Sequence, residues 1–405
     1  MVFRPYVARV IHRYLDCGDL HNGFARVKCA DCGHEYLLAF SCKRRHFCPS
    51  CHQKRVVEFG EWLCQEVVKA VPHRHFAFSI PKMLRRYFLY DRKLLSDLSR
   101  LAWDSLKVFF QESVPEDDGV PGAVIAIQTF GDLLGFNPHC HILCTDGCFY
   151  GNGMFRLAPA FRVKALEMIF RHKVFKMMLS KGKITEDTVE MLMSWRHSGF
   201  NVFSGPRIYP GQQQAMENLA RYIIRASFSQ ERMTYMKEQS KVLYESKDGK
   251  APKVFDALEW LAAMCSHVPN KGEQMVRYYG YYSNVSRGKR QKENQDGLIP
   301  YILEPSEDSR AYRKNWARLI KKIYEVDPLT CPKCQGKMRI ISFIDDDVVI
   351  QKILKHLGLW FVKPKPPPRA NGPPVGHHID YAHSQFPSYD DYNVDPEYPI
   401  DTYAL

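Results

Sequence analysis

No run of 18 or more apolar residues occurs in the 405-residue sequence, which argues against a membrane-spanning helix. The opening MVFRPYVARVIHRYLDCG sets Arg4, Arg9 and Arg13 among its apolar residues, so it does not read as a secretory signal. No internal repeat is present. Basic residues are missing from one part of the chain: residues 370–405 hold Asp380, Asp390, Asp391, Asp395, Glu397 and Asp401 but no Lys or Arg. The Pro-rich KPKPPPRANGPP lies just before them, and together residues 363–405 read as a disordered tail.

What remains is strongly basic. The net charge is +13 for the whole chain, and +19 once the six acids of the tail are set aside. A body of that charge suits a polyanionic partner, nucleic acid foremost, although an inert basic surface has the same composition. At 45% apolar residues the chain is expected to fold, and its length implies two to four domains. Thirteen cysteines in a chain without an export signal include three C-x-x-C pairs, which fit metal thiolates in a reducing cytoplasm better than a disulfide framework.

The periodicities predict a helix in RPYVARVIHRYLD ended by Gly18, a second over about 53–71, and a strand in RHFAFSI. A long helical pattern follows over 85–111, then paired strands at 123–130 and 138–145 and helices over 161–180, 185–196, 211–226 and about 253–266. Strands and helices mix without a regular βαβ alternation, so the expected class is α+β with an antiparallel sheet. The expected divisions are 1–70, zinc-binding; 71–240, catalytic; 241–316, basic and aromatic, contacting DNA; 317–362, a small basic unit carrying CPKC; and the tail.

Cys29, Cys32, Cys48 and Cys51 have the spacing C-x2-C-x15-C-x2-C, which predicts one tetrahedral structural Zn²⁺ in a ribbon. Cys17, Cys42, His34 and His46 are near enough to replace a ligand or build a second site; otherwise they are a buried thiol or a surface imidazole. Arg44, Arg45, Lys54 and Arg55 bring positive charge beside the ribbon, as a nucleic-acid surface would. Cys331 and Cys334 make half of a second metal site or else a metal-free knuckle, since His356, His377 and His378 lie at no diagnostic spacing to complete it.

In FNPHCHILCTDG, residues 136–147, strand alternation puts His139 and His141 on one face and Cys140, Ile142 and Cys144 on the other. Two imidazoles at i and i+2 can chelate one divalent ion and leave positions for a phosphate oxygen. A turn centred near 134–135 would set Gln128 opposite His141 and Phe130 opposite His139, making the Gln128 amide oxygen a third ligand; a solvent-facing Gln is the plain alternative. In LARYIIRASFSQERM, Met216, Leu219, Ala220, Ile223 and Ile224 form a core stripe, and Asn218, Tyr222 and Arg225 share another face. A phenol there is a nucleophile only beside a polarised phosphate, which Arg225 would steady. In RYYGYYSNVSRGKRQK, tyrosines 278, 279, 281 and 282 alternate with Arg277, Arg287, Lys289 and Arg290, as stacking faces and phosphate contacts would, or as an ordinary Tyr-rich strand with a basic loop.

Five blocks, SCKRRHFCPSCHQKR, FSIPKMLR, FGDLLGFNPHCHILCTDG, LARYIIRASFSQERM and WARLIKKIYEVDPLTCPKCQGKMRIISFI, together resemble the IS91-type transposases of rolling-circle insertion sequences over about residues 1–360. These are HUH endonucleases, with a hydrophobic residue between two metal-binding histidines. The resemblance implies a ferredoxin- or RRM-like antiparallel-sheet catalytic domain after a zinc-binding domain. It implies Mg²⁺ or Mn²⁺ on His139 and His141, with Cys140 as the residue between. Attack by Tyr222 on single-stranded DNA of a transposon end would leave a 5′-phosphotyrosine and a free 3′-OH for transfer to a target. The protein would work in the bacterial cytoplasm at the nucleoid, with no membrane partner. Two-tyrosine members carry a second tyrosine four residues before the first; Asn218 stands there, which places the chain nearer the single-tyrosine branch. Two other readings compete. A histidine-triad phosphoesterase lacks support because position 143 is Leu, and a non-catalytic zinc-ribbon DNA-binding protein leaves His139, His141 and Tyr222 unexplained.

Overall fold

The computed structural model describes residues 4–44, 46–151, 153–196, 198–246, 252–292 and 329–360. The expected tail and the first part of the 317–362 unit lie outside the described residues.

The chain begins with a helix at Pro5–Leu15 (α1), whose proline sits where a helix needs no N–H donor. Strands Phe24–Cys29 (β1) and Glu35–Ala39 (β2) form a hairpin. Helix Pro49–Trp62 (α2) starts directly after Cys48 and continues into a wider turn over Leu63–Val67. It therefore begins four residues before the expected helix, because Pro49 again fits the first turn.

The centre is a five-stranded antiparallel sheet. Its strands are His73–Ser79 (β3), Gly122–Phe130 (β4) and Phe136–Thr145 (β5), joined later by Asn201–Ile208 and Val276–Gly280. Between β3 and β4 lie Lys82–Tyr90 (α3) and Lys93–Gln111 (α4), so the single helix expected over 85–111 is broken at Asp91 and Arg92. After β5 come a small hairpin, Gly147–Tyr150 (β6) and Met154–Leu157 (β7), and helices Val163–Ser180 (α5) and Glu186–Ser194 (α6). Then follow strand Asn201–Ile208 (β8) and helix Gln213–Ile223 (α7). Strands Met233–Met236 (β9), Lys241–Tyr244 (β10) and Lys253–Asp256 (β11) make a separate sheet. The start of the helix expected at 253 is thus a strand; helix Ala257–His267 (α8) begins where the Asp256 side chain accepts from Leu258 N–H at 2.8 Å. Strand Val276–Gly280 (β12), helix Asn284–Lys292 (α9), strand Met338–Ile344 (β13) and helix Asp347–His356 (α10) complete the described chain.

The central order is β12-β4-β5-β3-β8. One face of the sheet carries Phe76, Phe78, Ile125, Ile127, Cys140, Ile142 and Cys144 into a core with α3, α4 and α5, as the Cys140 face predicts. The opposite face packs Val124, Ala126 and Leu143 against Phe59 and Leu63 of α2 and its wide turn, and against Met216, Leu219, Ala220 and Ile223 of α7. β5 is buried on both faces, so its two histidines lie inside the protein. β12 comes from the segment expected to contact DNA, yet it is an edge strand of this sheet. β13 leaves the C-terminal unit to pair with β1. Among the described residues, no helix is long and apolar enough to cross a membrane.

Candidate active site

On β5, His139 stands opposite Gln128 of β4 and Ser79 of β3, while His141 stands between Ala126 and Ala77. The expected register of β4 and β5 is therefore corrected by two residues: Gln128 faces His139, and Phe130 pairs with Phe136 across a bulge. Side chains alternate with period two, so a slip of two keeps Gln128 on the histidine face. The small side chains flanking His141 leave room around its ring.

The two rings present their Nε2 atoms to each other at 3.1 Å. Two nitrogens each about 2.1 Å from one ion at a right angle would be about 3 Å apart, so the pair has chelating geometry. Each remaining ring nitrogen is occupied. His139 Nδ1–H donates to the Asn137 carbonyl at 2.7 Å, which fixes its tautomer and leaves Nε2 as the acceptor. His141 Nδ1 lies 2.9 Å from Nε2 of His75, a β3 residue that sequence reasoning missed. Its signal was available: HRHFAFS holds its own pair of alternating histidines, on the strand next to PHCH. With a cation between the Nε2 atoms, His141 must carry its proton on Nδ1, where His75 Nε2 accepts it.

All three imidazoles are held neutral, the form that binds metal. Burial lowers His139 to about 4, with Arg225 and Arg85 adding to the effect. Burial and then the charge of His139 lower His75 to about 3. Burial, followed by His139, His75 and Arg225, holds His141 well below the ordinary imidazole range.

Gln128 links these rings to α7. Its amide nitrogen donates to the Ile223 carbonyl at 2.8 Å, an acceptor that the helix end leaves open, and reaches at 3.4 Å the Tyr222 carbonyl, which already receives the Arg225 N–H at 3.2 Å. Its Oε1 is buried without a hydrogen-bond partner, an unmet acceptor on the histidine face. Two neutral imidazoles and an amide oxygen form a mixed donor set for a divalent ion, the imidazoles suiting a transition-metal ion and the amide oxygen a harder one.

α7 buries Met216, Leu219, Ala220 and Ile223, so its half-buried Tyr222 turns toward the rings. The Tyr222 ring meets His141 edge-on at 5.1 Å and His75 at 5.9 Å between centroids. The Arg225 guanidinium stands 4.8 Å over the Tyr222 ring and 5.8 Å from that of Phe130. Asn218, one turn earlier, accepts from Gln214 at 2.9 Å. Leu143, where a histidine triad would need its third imidazole, belongs to the apolar cluster.

The cysteines do not assemble as their spacing suggests. Cys29, Cys32, Cys48 and Cys51 do not share one site; Cys48 and Cys51 converge with Cys17 and Cys42, and Cys29 and Cys32 with Cys331 and Cys334. The reason is the hairpin: β1 and β2 carry the first C-x-x-C to one end of the small sheet, while α2 carries the second toward α1. In the first group Sγ separations are 3.6 Å for Cys17–Cys48 and Cys42–Cys51, and 3.9 Å for Cys17–Cys51. Four thiolates at 2.3 Å from one tetrahedral ion would be about 3.8 Å apart, so this set fits zinc. His34 and His46 join neither group.

The expected DNA contacts divide. Lys289 is exposed; Arg44, Lys54, Arg55, Arg277 and Arg287 are partly so. Arg287 lies over the rings of Trp62, at 5.4 Å, and Tyr278, at 6.0 Å. Arg290 is corrected to a structural residue: it is 8% exposed, donates to the Tyr281 carbonyl at 2.9 Å and stands 3.7 Å over the Tyr281 ring. The tyrosines beside it mostly serve the fold as well. Tyr282 is buried with its hydroxyl 2.7 Å from His73 Nε2, Tyr281 stacks on Phe149 at 3.6 Å, and Tyr279 stacks on Trp103 at 5.5 Å. Arg45 lies outside the described residues.

Residues 2–80 match a family model described as a transposase zinc-binding domain, and residues 122–290 match one described as "Putative transposase". The chain belongs to the IS91-type transposase family. This transposase is 23% identical over 356 residues to the transposase for insertion sequence element IS801 of Pseudomonas savastanoi pv. phaseolicola, covering 83% of each chain. It is 26% identical over 346 residues to "Putative transposase y4qJ" of Sinorhizobium fredii, covering 78% of this chain and 84% of that one. No solved structure matches it. The second family model spans β4, β5, α7 and β12, so the histidine pair and Tyr222 lie inside the matched region.

Proposed function

We propose that this transposase nicks single-stranded DNA at an insertion-sequence end and carries the strand to a target on Tyr222. The observation that carries this reading is the convergence of the His139 and His141 Nε2 atoms, 3.1 Å apart, beneath the Tyr222 ring. His139, His141 and the Gln128 oxygen would hold Mg²⁺ or Mn²⁺. When bound, the ion supplies Lewis-acid polarisation of the scissile phosphate. Tyr222 forms a bond from its Oη to phosphorus as the bond from phosphorus to the 3′ oxygen breaks; net, the phenolic proton ends on that oxygen. The products are a 5′-phosphotyrosine and a free 3′-OH. Arg225 supplies positive charge beside the phosphate, and Gln128, by holding the end of α7, fixes where the phenol stands. Resolution reverses the step with a target 3′-OH, so the bond energy is conserved and no nucleotide cofactor is required.

Asn218 leaves one tyrosine on this face of α7, supporting a single-nucleophile cycle. The structural zinc of the N-terminal unit takes no part in the chemistry. The test is to incubate the full chain with single-stranded DNA of the element ends and Mg²⁺, then denature. A covalent adduct that maps to Tyr222 and disappears with chelator supports the reading. A protein that binds this DNA but never forms the adduct would be a non-catalytic DNA-binding protein.

A further inference from the structure

Two C-x-x-C turns from opposite ends of the chain face each other in the fold. Cys29 ends β1 and Cys32 lies in the turn before β2; Cys331 and Cys334 lie in the turn before β13. Cys29 Sγ is 3.5 Å from Cys334 Sγ, and Cys32 Sγ is 3.6 Å from Cys331 Sγ, across sequence separations of 305 and 299. All four sulfurs lie within 4.8 Å of one another. These are the spacings of four thiolates around one tetrahedral ion, far beyond the roughly 2 Å of a disulfide.

The backbone is shaped for the same purpose. In the C-terminal turn, Cys331 N–H donates to the Gly336 carbonyl at 2.8 Å and Gln335 N–H to the Cys331 carbonyl at 2.9 Å, with Gln335 at a φ of 62°. In the N-terminal turn Gly33 has a φ of 72°. The turns touch: Ala30 N–H donates to the Lys337 carbonyl at 3.1 Å. A Cβ on Gly336 would come within 2.0 Å of the carboxylate of the exposed Asp31, a flexible end able to swing aside, and 3.1 Å of Cys334 Sγ, so the two turns lie in direct contact here. β13 then pairs along the whole of β1, from Cys29 opposite Met338 to Phe24 opposite Ile344.

We infer that Cys29, Cys32, Cys331 and Cys334 bind one zinc ion shared between the two ends of the chain, each end contributing half of a site that neither can form alone. The transposase therefore holds two zinc ions, one local to Cys17, Cys42, Cys48 and Cys51 and one composite. Residues 329–360 are part of the zinc-binding unit rather than an appendage of the catalytic one. This inference is independent of the strand-transfer chemistry.

Metal content of the purified full chain, with zinc and iron measured together, tests it. Two zinc per chain are expected in the wild type. Cys331→Ser/Cys334→Ser should carry one, Cys29→Ser/Cys32→Ser one, and the variant with all four replaced still one, because both pairs serve the same ion. Two zinc in the Cys331→Ser/Cys334→Ser variant, a single zinc in the wild type, or iron at this site would overturn it. A measurement on the unmutated protein covers the case of a variant that does not fold. With zinc bound, Cys331 and Cys334 should resist alkylation, and chelator should expose them together with Cys29 and Cys32. Alkylation of Cys331 and Cys334 at a free-thiol rate before chelator is added would overturn the inference.

Discussion

At the scale of single residues, the chemistry rests on few atoms, and those are the easiest to test. Tyr222→Phe removes one hydroxyl from a half-buried ring. It should abolish the covalent adduct, leave DNA binding intact and cost under about 1 kcal/mol of fold stability. A DNA-linked peptide from any other tyrosine would move the nucleophile elsewhere. His75→Ala leaves His141 Nδ1 without its partner. Losing such a supporting hydrogen bond typically lowers metal affinity about 10–100-fold, and His75→Gln should recover part of the loss. A Mn²⁺ titration of adduct yield reads both variants; overlapping curves for wild type and His75→Ala would remove His75 from the site. His139, His141 and Tyr222, the residues proposed for the chemistry, could be singled out from sequence because each belongs to a short local pattern, an alternating pair or one face of a helix. His75 was not, because its role depends on which strand lies beside β5. Arg290 and the tyrosines near it were misread for a related reason: an Arg–Tyr run looks the same whether its rings face DNA or Phe149 and Trp103.

Among elements, the link that matters is Gln128, which ties a strand to the end of α7. Gln128→Ala should raise the Mg²⁺ requirement and also uncover the Ile223 carbonyl. Leaving buried acceptors unmet costs about 1–3 kcal/mol. Hydrogen exchange should then quicken in the last turn of α7 specifically; a changed metal requirement with α7 protection untouched would mean that Gln128 is a ligand only. A second link joins β3 to β8. Asp146, fully buried, receives Arg74 at 2.9 Å and also Arg207. Asp146→Ala strands two partly buried guanidinium groups and should cost about 3–5 kcal/mol by chemical denaturation. A loss below 1 kcal/mol would mean that water replaces the carboxylate without penalty. Helices were mostly legible from periodicity, but among the strands only β3, β4 and β5 were; β1, β8, β12 and β13 take their places from partners distant in the sequence, and other errors fall where a local feature overrides the period. Pro49 moves a helix start, Asp91 and Arg92 break a long amphipathic pattern, and a turn closed by Phe130 and Phe136, centred earlier than expected, moves the β4–β5 register by two.

The molecule as a whole should be sensitive to acid, because two histidines outside the candidate active site add to the effect of His75, His139 and His141. His73 and His267 are buried with neutral partners, one beside the Tyr282 hydroxyl and the other 3.0 Å from the Leu134 carbonyl. Burial lowers each to about 4. In the unfolded chain they bind protons near pH 6.5. The unfolded state thus gains protons that the fold refuses, so stability falls as pH drops from about 6.5 toward 4 and this contribution levels off below that. A thermal-melting series over that range, with zinc in excess, should show the decline, and His73→Gln should lessen it. A melting temperature that does not vary between pH 7 and 4.5 would contradict this account. At this scale the sequence is least legible. Spacing within a C-x-x-C pair is local information, but which pairs share an ion is decided by β13 returning to β1, and no short pattern records that pairing.

The return of β13 also sets an order on how the protein is made. β1 has β2 on one side from the start, but its other edge stays uncovered until Met338, 309 positions after Cys29, begins β13. At ordinary translation speeds of about 5–20 residues per second, that wait lasts roughly 15–60 s. During it the nascent chain presents an open strand edge and two unpaired thiols, while the central sheet is already able to fold. A message cut short before Cys331 would therefore yield a protein whose catalytic face is complete and whose amino-terminal unit is not, the kind of product that cellular proteases remove.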